Sequence, residues 1–159
     1  MGQVDVTQRF ELIACLRKAA DTLMADYGVV LVYLYGSTAQ GFTTPLSDVD
    51  IALVLQPDRA ESLSAYDRLL LEMDVSIALQ QHCSLDDVDV RVVNGAPIEL
   101  QGRIVSEGIL LYAADENFRV GYETFTIKRF LDFRPFSEAM RQAYFDRRRA
   151  ELASEESHG

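Results

Sequence analysis

No tryptophan occurs among the 159 residues, and only two cysteines, two histidines and four prolines do. Cys15 and Cys83 are too few for a disulfide framework, so both thiols are expected to be reduced structural residues of a cytoplasmic protein. One histidine sits at the extreme end. His82, the internal one, is expected on the surface at a helix end, and with no second internal histidine or close cysteine pair a zinc site is not expected. Basic side chains are scarce too: residues 1–115 hold 7 Lys and Arg against 17 Asp and Glu. A field of that sign excludes a general binder of the phosphate backbone, so no direct nucleic-acid contact is expected. No apolar run reaches the length of a membrane span, and the first ten residues lack a basic-then-apolar leader pattern. Neither a membrane anchor nor a secretory leader is therefore expected.

The chain has a formal net charge of −10, with 48 % hydrophobic and 25 % charged residues, the balance of a folded protein of single-domain length. All of the excess acid lies in residues 1–115, because residues 116–159 carry 8 basic and 8 acidic side chains. That last stretch is also aromatic, with Phe118, Tyr122, Phe125, Phe130, Phe133, Phe136, Tyr144 and Phe145. Its 44 residues are too few to hold a core alone. The shift divides the chain into a main domain (1–115), a helical extension packed on it or on a partner (116–153), and a frayed tail (154–159).

Apolar residues every three or four positions predict a helix over 7–27, with Asp5 and Gln8 as a capping box and Gly28 at the exit. The β-branched and aromatic run 29–35 predicts a buried strand, followed by a short helix over 37–41 and a loop over 42–47. A second strand spans 49–55. A long helix is predicted over 59–81, with Leu63, Tyr66, Leu70, Met73 and Ile77 as its apolar stripe. A strand at 86–93, a helix at 97–107 and a short strand at 109–112 follow. Helix resumes over 115–133, is interrupted by Pro135, and continues over 136–152. The fold class is mixed α/β (α+β): a small mixed sheet flanked by helices, with a long C-terminal helical extension.

The chemistry is concentrated in two short segments. Gly36 and Ser37 leave the end of a buried strand and enter a helix, which presents free backbone N–H groups and a hydroxyl to an anion. Asp48 and Asp50 are two apart on a predicted strand, so both carboxylates share one face while Val49 points to the core. Two like charges this close call for a cation, and hard oxygen ligands suit Mg²⁺ or Mn²⁺. The next strand offers a third acid, Asp87 or Asp89, which alternate onto one face. Phosphate donors beside three carboxylates point to two-metal phosphoryl or nucleotidyl transfer. Tyr33, Tyr35 and Arg91 are expected to be strand-face or ion-pair residues, and Arg147 to Arg149 a solvated helix end.

Gly36-Ser37, ten residues, then Asp48-Val49-Asp50 resembles the signature of the DNA polymerase beta-type nucleotidyltransferase superfamily. More narrowly, the chain resembles the MNT-type minimal nucleotidyltransferases, antitoxins whose partners are HEPN-domain toxins. That likeness runs through Asp89, Asn94-Gly95-Ala96-Pro97, the segment from Glu107 to Tyr112, and Phe130-Leu131-Asp132-Phe133-Arg134-Pro135-Phe136. Related antitoxins often read Val-Asp-Leu-Val-Asp-Leu where this chain has Val88-Asp89-Val90-Arg91-Val92-Val93. The first acid is matched by Asp89; Val92 replaces the second.

The resemblance implies a nucleotidyltransferase fold in which Gly36, Ser37 and Ser47 hold the nucleotide. Asp48, Asp50 and Asp89 bind two Mg²⁺ ions and serve as the catalytic acids. The implied reaction moves AMP from ATP to a tyrosine of a HEPN-type ribonuclease toxin, within a hetero-oligomer. Three other readings compete: a nucleotidyltransferase for a small acceptor such as an aminoglycoside, an antitoxin acting by occlusion alone, and an ATP sensor without turnover. Enzymes of the first kind usually carry a larger second domain for the acceptor.

Overall fold

The chain, described here from a computed structural model over residues 6–41 and 48–157, builds a four-stranded mixed sheet in the order β3-β2-β1-β4. The predicted Asp5 cap lies outside the described residues, as do the 42–47 loop, Ser47 and the last two residues. The strands are β1 (Val29–Tyr35), β2 (Val49–Leu55), β3 (Val88–Val92) and β4 (Ile109–Ala113). Antiparallel pairing joins β1 to both β2 and β4, and β2 runs parallel to β3. Both central strands are apolar nearly throughout because both sheet faces are covered.

One face packs under α1 (Val6–Leu23) and α4 (Ala65–Cys83), whose Leu16, Ala19, Val75 and Leu79 meet Val32, Leu34, Ile51 and Leu53. A 3-10 turn, Met24–Tyr27, ends the first helix, and Gly28 closes it with φ +69°. The other face, with Leu31, Tyr33, Ala52 and Val54, lies under α5 (Ile98–Glu107) and the start of α6 (Glu116–Glu156). Two short helices, α2 (Gly36–Gln40) and α3 (Pro57–Ser62), follow β1 and β2.

Four expectations need correction. The helix predicted over 59–81 is two helices. Pro57 starts α3, and Ser64 caps α4 by accepting the Asp67 N–H at 3.0 Å while its hydroxyl donates to the Asp67 carboxylate. Its predicted apolar stripe is not the core face: Leu71, Val75 and Leu79 are buried, whereas Tyr66, Leu70, Met73 and Ile77 are exposed on the opposite side. Pro135 does not interrupt the last helix, and residues 154–156 are helical, so α6 runs unbroken for 41 residues. It is held before the proline by Phe130 against Gly102 and after it by a Ser137 hydroxyl donated to Glu99. Finally, Cys15 and Cys83 are not separate thiols. The packing of α1 on α4 brings their Cα atoms to 5.9 Å, and they form a disulfide.

Gly102 is required by the crossing of α5 and α6, since a Cβ there would overlap the Phe130 ring. Gly102→Val is expected to lower the unfolding free energy by about 1–3 kcal/mol, the usual cost of overpacking, as read in urea titrations.

Candidate functional site

The antiparallel register sets Tyr35 opposite Asp50, and the parallel register sets Asp50 opposite Asp89. The last residue of β1 and the acids of β2 and β3 thus form one row at one end of the sheet. Alternation does the rest. Val49 is buried between Asp48 and Asp50, and Val88 and Val90 are buried on either side of Asp89. Asp89, not Asp87, stands beside Asp50; Asp87 lies in the turn before β3.

Gly36 takes φ +73° as the chain turns from β1 into α2, a conformation that disfavours side chains. A Cβ on Gly36 would overlap the Asp50 carboxylate, so the corner and the acid are in direct apposition. Ser37 follows, exposed, in the first turn of α2. Buried Thr38 donates its hydroxyl to the Asp48 carbonyl at 3.3 Å, tying the corner to the start of β2. Arg9 of α1 donates to the Thr38 and Ala39 carbonyls at the end of α2, where a cation is favoured. Sequence reasoning missed both braces. The hydroxyl beside Gly-Ser was a legible hint for Thr38, but nothing local marks Arg9, which is 29 residues from Thr38.

The Asp50 carboxyl is held above the ordinary carboxylate range by partial burial and by the charges of Asp89 and Asp48, with Arg91 opposing the shift. Burial and the Asp50 charge likewise push the Tyr35 phenol up. Arg91 meets Asp89 at 3.8 Å, and both side chains are largely exposed, so the pair adds little stability. Among the described residues no three His, Cys, Asp or Glu side chains are grouped closely enough to hold a metal ion between them. The donor chemistry nonetheless fits Mg²⁺: every donor is a carboxylate oxygen, and the charges on Asp48, Asp50 and Asp89 repel in a way that a divalent cation relieves.

A sheet whose neighbouring strands bring acids together beside a strand-to-helix glycine corner defines a class of enzyme, the nucleotidyltransferases. The family model for "Polymerase beta, Nucleotidyltransferase" matches residues 17–117, which include Gly36, Ser37, Asp48, Asp50 and Asp89, and the chain belongs to this family. No curated protein matches it.

Among solved structures the chain is similar to chains of toxin–antitoxin complexes. The chain is 26 % identical to a chain of a toxin–antitoxin solved with AMP-PNP, with 82 % of this chain and 95 % of that chain covered at a TM-score of 0.59. A mutant of the toxin–antitoxin MntA-HpeT matches at 25 % identity over the same shares, also at 0.59. The fold is shared with a complex of a tri-AMPylated Shewanella oneidensis HEPN toxin and its MNT antitoxin, at 24 % identity, 84 % and 96 % coverage and a TM-score of 0.56. No helix among the described residues is long and apolar enough to cross a membrane.

Gly36→Ala offers a direct test of the corner. The added methyl displaces the Asp50 carboxylate and strains a left-handed residue. Transfer is expected to fall on the order of 10²-fold, the effect of misplacing a reacting group by about an ångström, while circular dichroism is retained.

Proposed function

We propose that this protein is an antitoxin adenylyltransferase that moves AMP from ATP onto a tyrosine of a HEPN-type ribonuclease toxin and so neutralises it. The observation that carries the reading is the Asp50–Asp89 register beside the Gly36 corner. It is supported by the likeness to a toxin–antitoxin holding an ATP analogue. In this reading residues 1–115 are the catalytic domain, and 116–153 a helical extension packed on it or on a partner.

In this reading the backbone at Gly36 and the hydroxyls of Ser37 and Ser47 hold the triphosphate. Asp48, Asp50 and Asp89 would hold two Mg²⁺ ions, which supply charge neutralisation to the triphosphate and the leaving group. The tyrosine oxygen attacks the α-phosphorus in line. The bond to the bridging oxygen breaks, pyrophosphate leaves with that electron pair, and the phenolic proton passes towards Asp89. AMP on the toxin then sets negative charge and bulk near its basic RNA-cleaving face. The acidic field of the antitoxin favours encounter with that face in a cytoplasmic hetero-oligomer.

The test is recombinant protein with Mg²⁺, labelled ATP and a recombinant HEPN-type ribonuclease as acceptor. Label on the HEPN protein and release of one pyrophosphate per AMP are expected. A complex that forms without any transfer overturns the enzymatic half and leaves occlusion.

A further inference from the structure

Helix α4 is apolar on two opposite sides. Leu71, Val75 and Leu79 enter the core, while Tyr66, Leu69, Leu70, Met73 and Ile77 are 39–68 % exposed along the other side. A helix with a second apolar stripe is built to be covered twice. The outer stripe is not remote from the site. Leu69, Met73 and Ile77 form one wall of a groove of about 360 Å³ whose other wall is the edge strand β3, including Asp89 and Arg91. A macromolecule seated in this groove therefore lies against the acid that completes the row.

The occupant's chemistry follows from three features. The edge of β3 is partly engaged already, because Glu72 of α4 accepts the Val92 N–H at 2.8 Å and Ser76 donates to the Val88 carbonyl. Side-chain contacts to the apolar stripe are then the main means of engagement open to a partner. The rim is acidic, with exposed Asp67, Asp74, Asp86 and Asp87, and residues 58–89 hold 8 acids against 2 bases. A second copy of this chain would set acid against acid across a two-fold contact. A partner with an apolar ridge framed by Lys and Arg meets both the stripe and the rim.

We propose that the outer face of α4 and the β3 groove are the docking surface for the protein acceptor, a basic HEPN-type ribonuclease that lays an apolar ridge along Leu69, Met73 and Ile77 and so brings its hydroxyl to Asp89. This rests on the function proposed above and adds the surface through which the acceptor is chosen.

Leu69→Glu with Met73→Glu tests it, since both side chains are exposed and the fold does not need them. Binding of the HEPN-type ribonuclease used as acceptor above, by calorimetry, is expected to weaken roughly tenfold or more, the effect of losing central interface anchors. Affinity for AMP-PNP with Mg²⁺ is expected to stay unchanged. Asp67→Lys with Asp74→Lys is expected to slow association and flatten its salt dependence. Unchanged HEPN affinity in the glutamate variant overturns the proposal, as does loss confined to Met140→Glu with Tyr144→Glu on α6. A self-association of the wild type that the glutamate variant abolishes also overturns it. If the wild type binds the HEPN protein without modifying it, and the glutamate variant does not bind, the docking surface stands and the transfer reading fails. A wild type that does not bind it overturns both.

Discussion

Asp50→Asn is expected to abolish AMP transfer and yet make the metal-free chain more stable. The two effects have one origin. Asp50 stands in register with Asp89, and its carboxyl is pushed up by partial burial and by the charges of Asp89 and Asp48. A folded-state pKa above the unfolded one favours the protonated acid in the fold. That contribution is present at low pH and is lost as pH rises through the folded value, so at neutral pH the ionised Asp50 works against folding. Asparagine keeps the shape and removes the charge. The unfolding free energy at neutral pH is expected to rise by about 0.5–1 kcal/mol, and the gain is expected to disappear in acid. Transfer, by contrast, loses a carboxylate that would hold the metals, and several kcal/mol of transition-state stabilisation corresponds to a drop of roughly 10³-fold. Urea titrations with and without Mg²⁺ separate the terms: added Mg²⁺ is expected to stabilise the wild type and not the variant. The pH profile offers a further check. In the metal-free chain the fall in stability with rising pH is expected to set in above the ordinary carboxylate range and to move down in Asp89→Asn, which removes one of the charges acting on Asp50. A variant that transfers AMP at the wild-type rate removes Asp50 from the site.

In bacteria that carry the toxin, Asp48→Asn with Asp50→Asn separates the enzymatic reading from occlusion. Protection that survives the double substitution makes occlusion the main mechanism. Protection that fails while the complex persists assigns neutralisation to the transfer.

The strands at 29–35 and 49–55 were legible to the residue, because buried strands are marked by continuous apolar, β-branched runs. The acid row was legible because strand alternation is rigid: once Val49 is buried, Asp48 and Asp50 share a face. That Asp89 rather than Asp87 meets Asp50 depends on the register between β2 and β3, which no local pattern carries. The failure at α4 has a different cause. Tyr66, Leu70, Met73 and Ile77 recur at helical spacing as well as Leu71, Val75 and Leu79 do, so periodicity could find an apolar stripe without saying which stripe the sheet would take. Pro135 misled because tertiary contacts at Phe130 and Ser137 carry α6 across a residue that lacks an N–H. Arg9 and Thr38 were missed because their partners lie on other elements.

The pairing of the cysteines was the furthest from legible, and breaking it is expected to have the largest effect on stability. Cys15 sits within α1, and Cys83 is the last residue of α4. Their separation of 68 positions makes the bond a long-range staple between the two helices under the sheet. In the chain-entropy description, closing a loop of that length removes enough freedom from the unfolded chain to be worth about 4 kcal/mol. Cys83→Ser, or dithiothreitol on the wild type, is therefore expected to lower the unfolding free energy by about 2–4 kcal/mol in urea, and the two treatments should not add. The site should respond much less. Neither sulfur touches Asp48, Asp50 or Asp89, and the stabilisation acts through the unfolded state, so AMP-PNP affinity in the absence of urea is expected to be nearly unchanged. Two titratable thiols per native chain in non-reducing buffer, with the same urea midpoint in dithiothreitol, would show that the bond does not form. Reduction of the bond then changes stability alone, while the acid row and its glycine corner stay as the backbone register sets them.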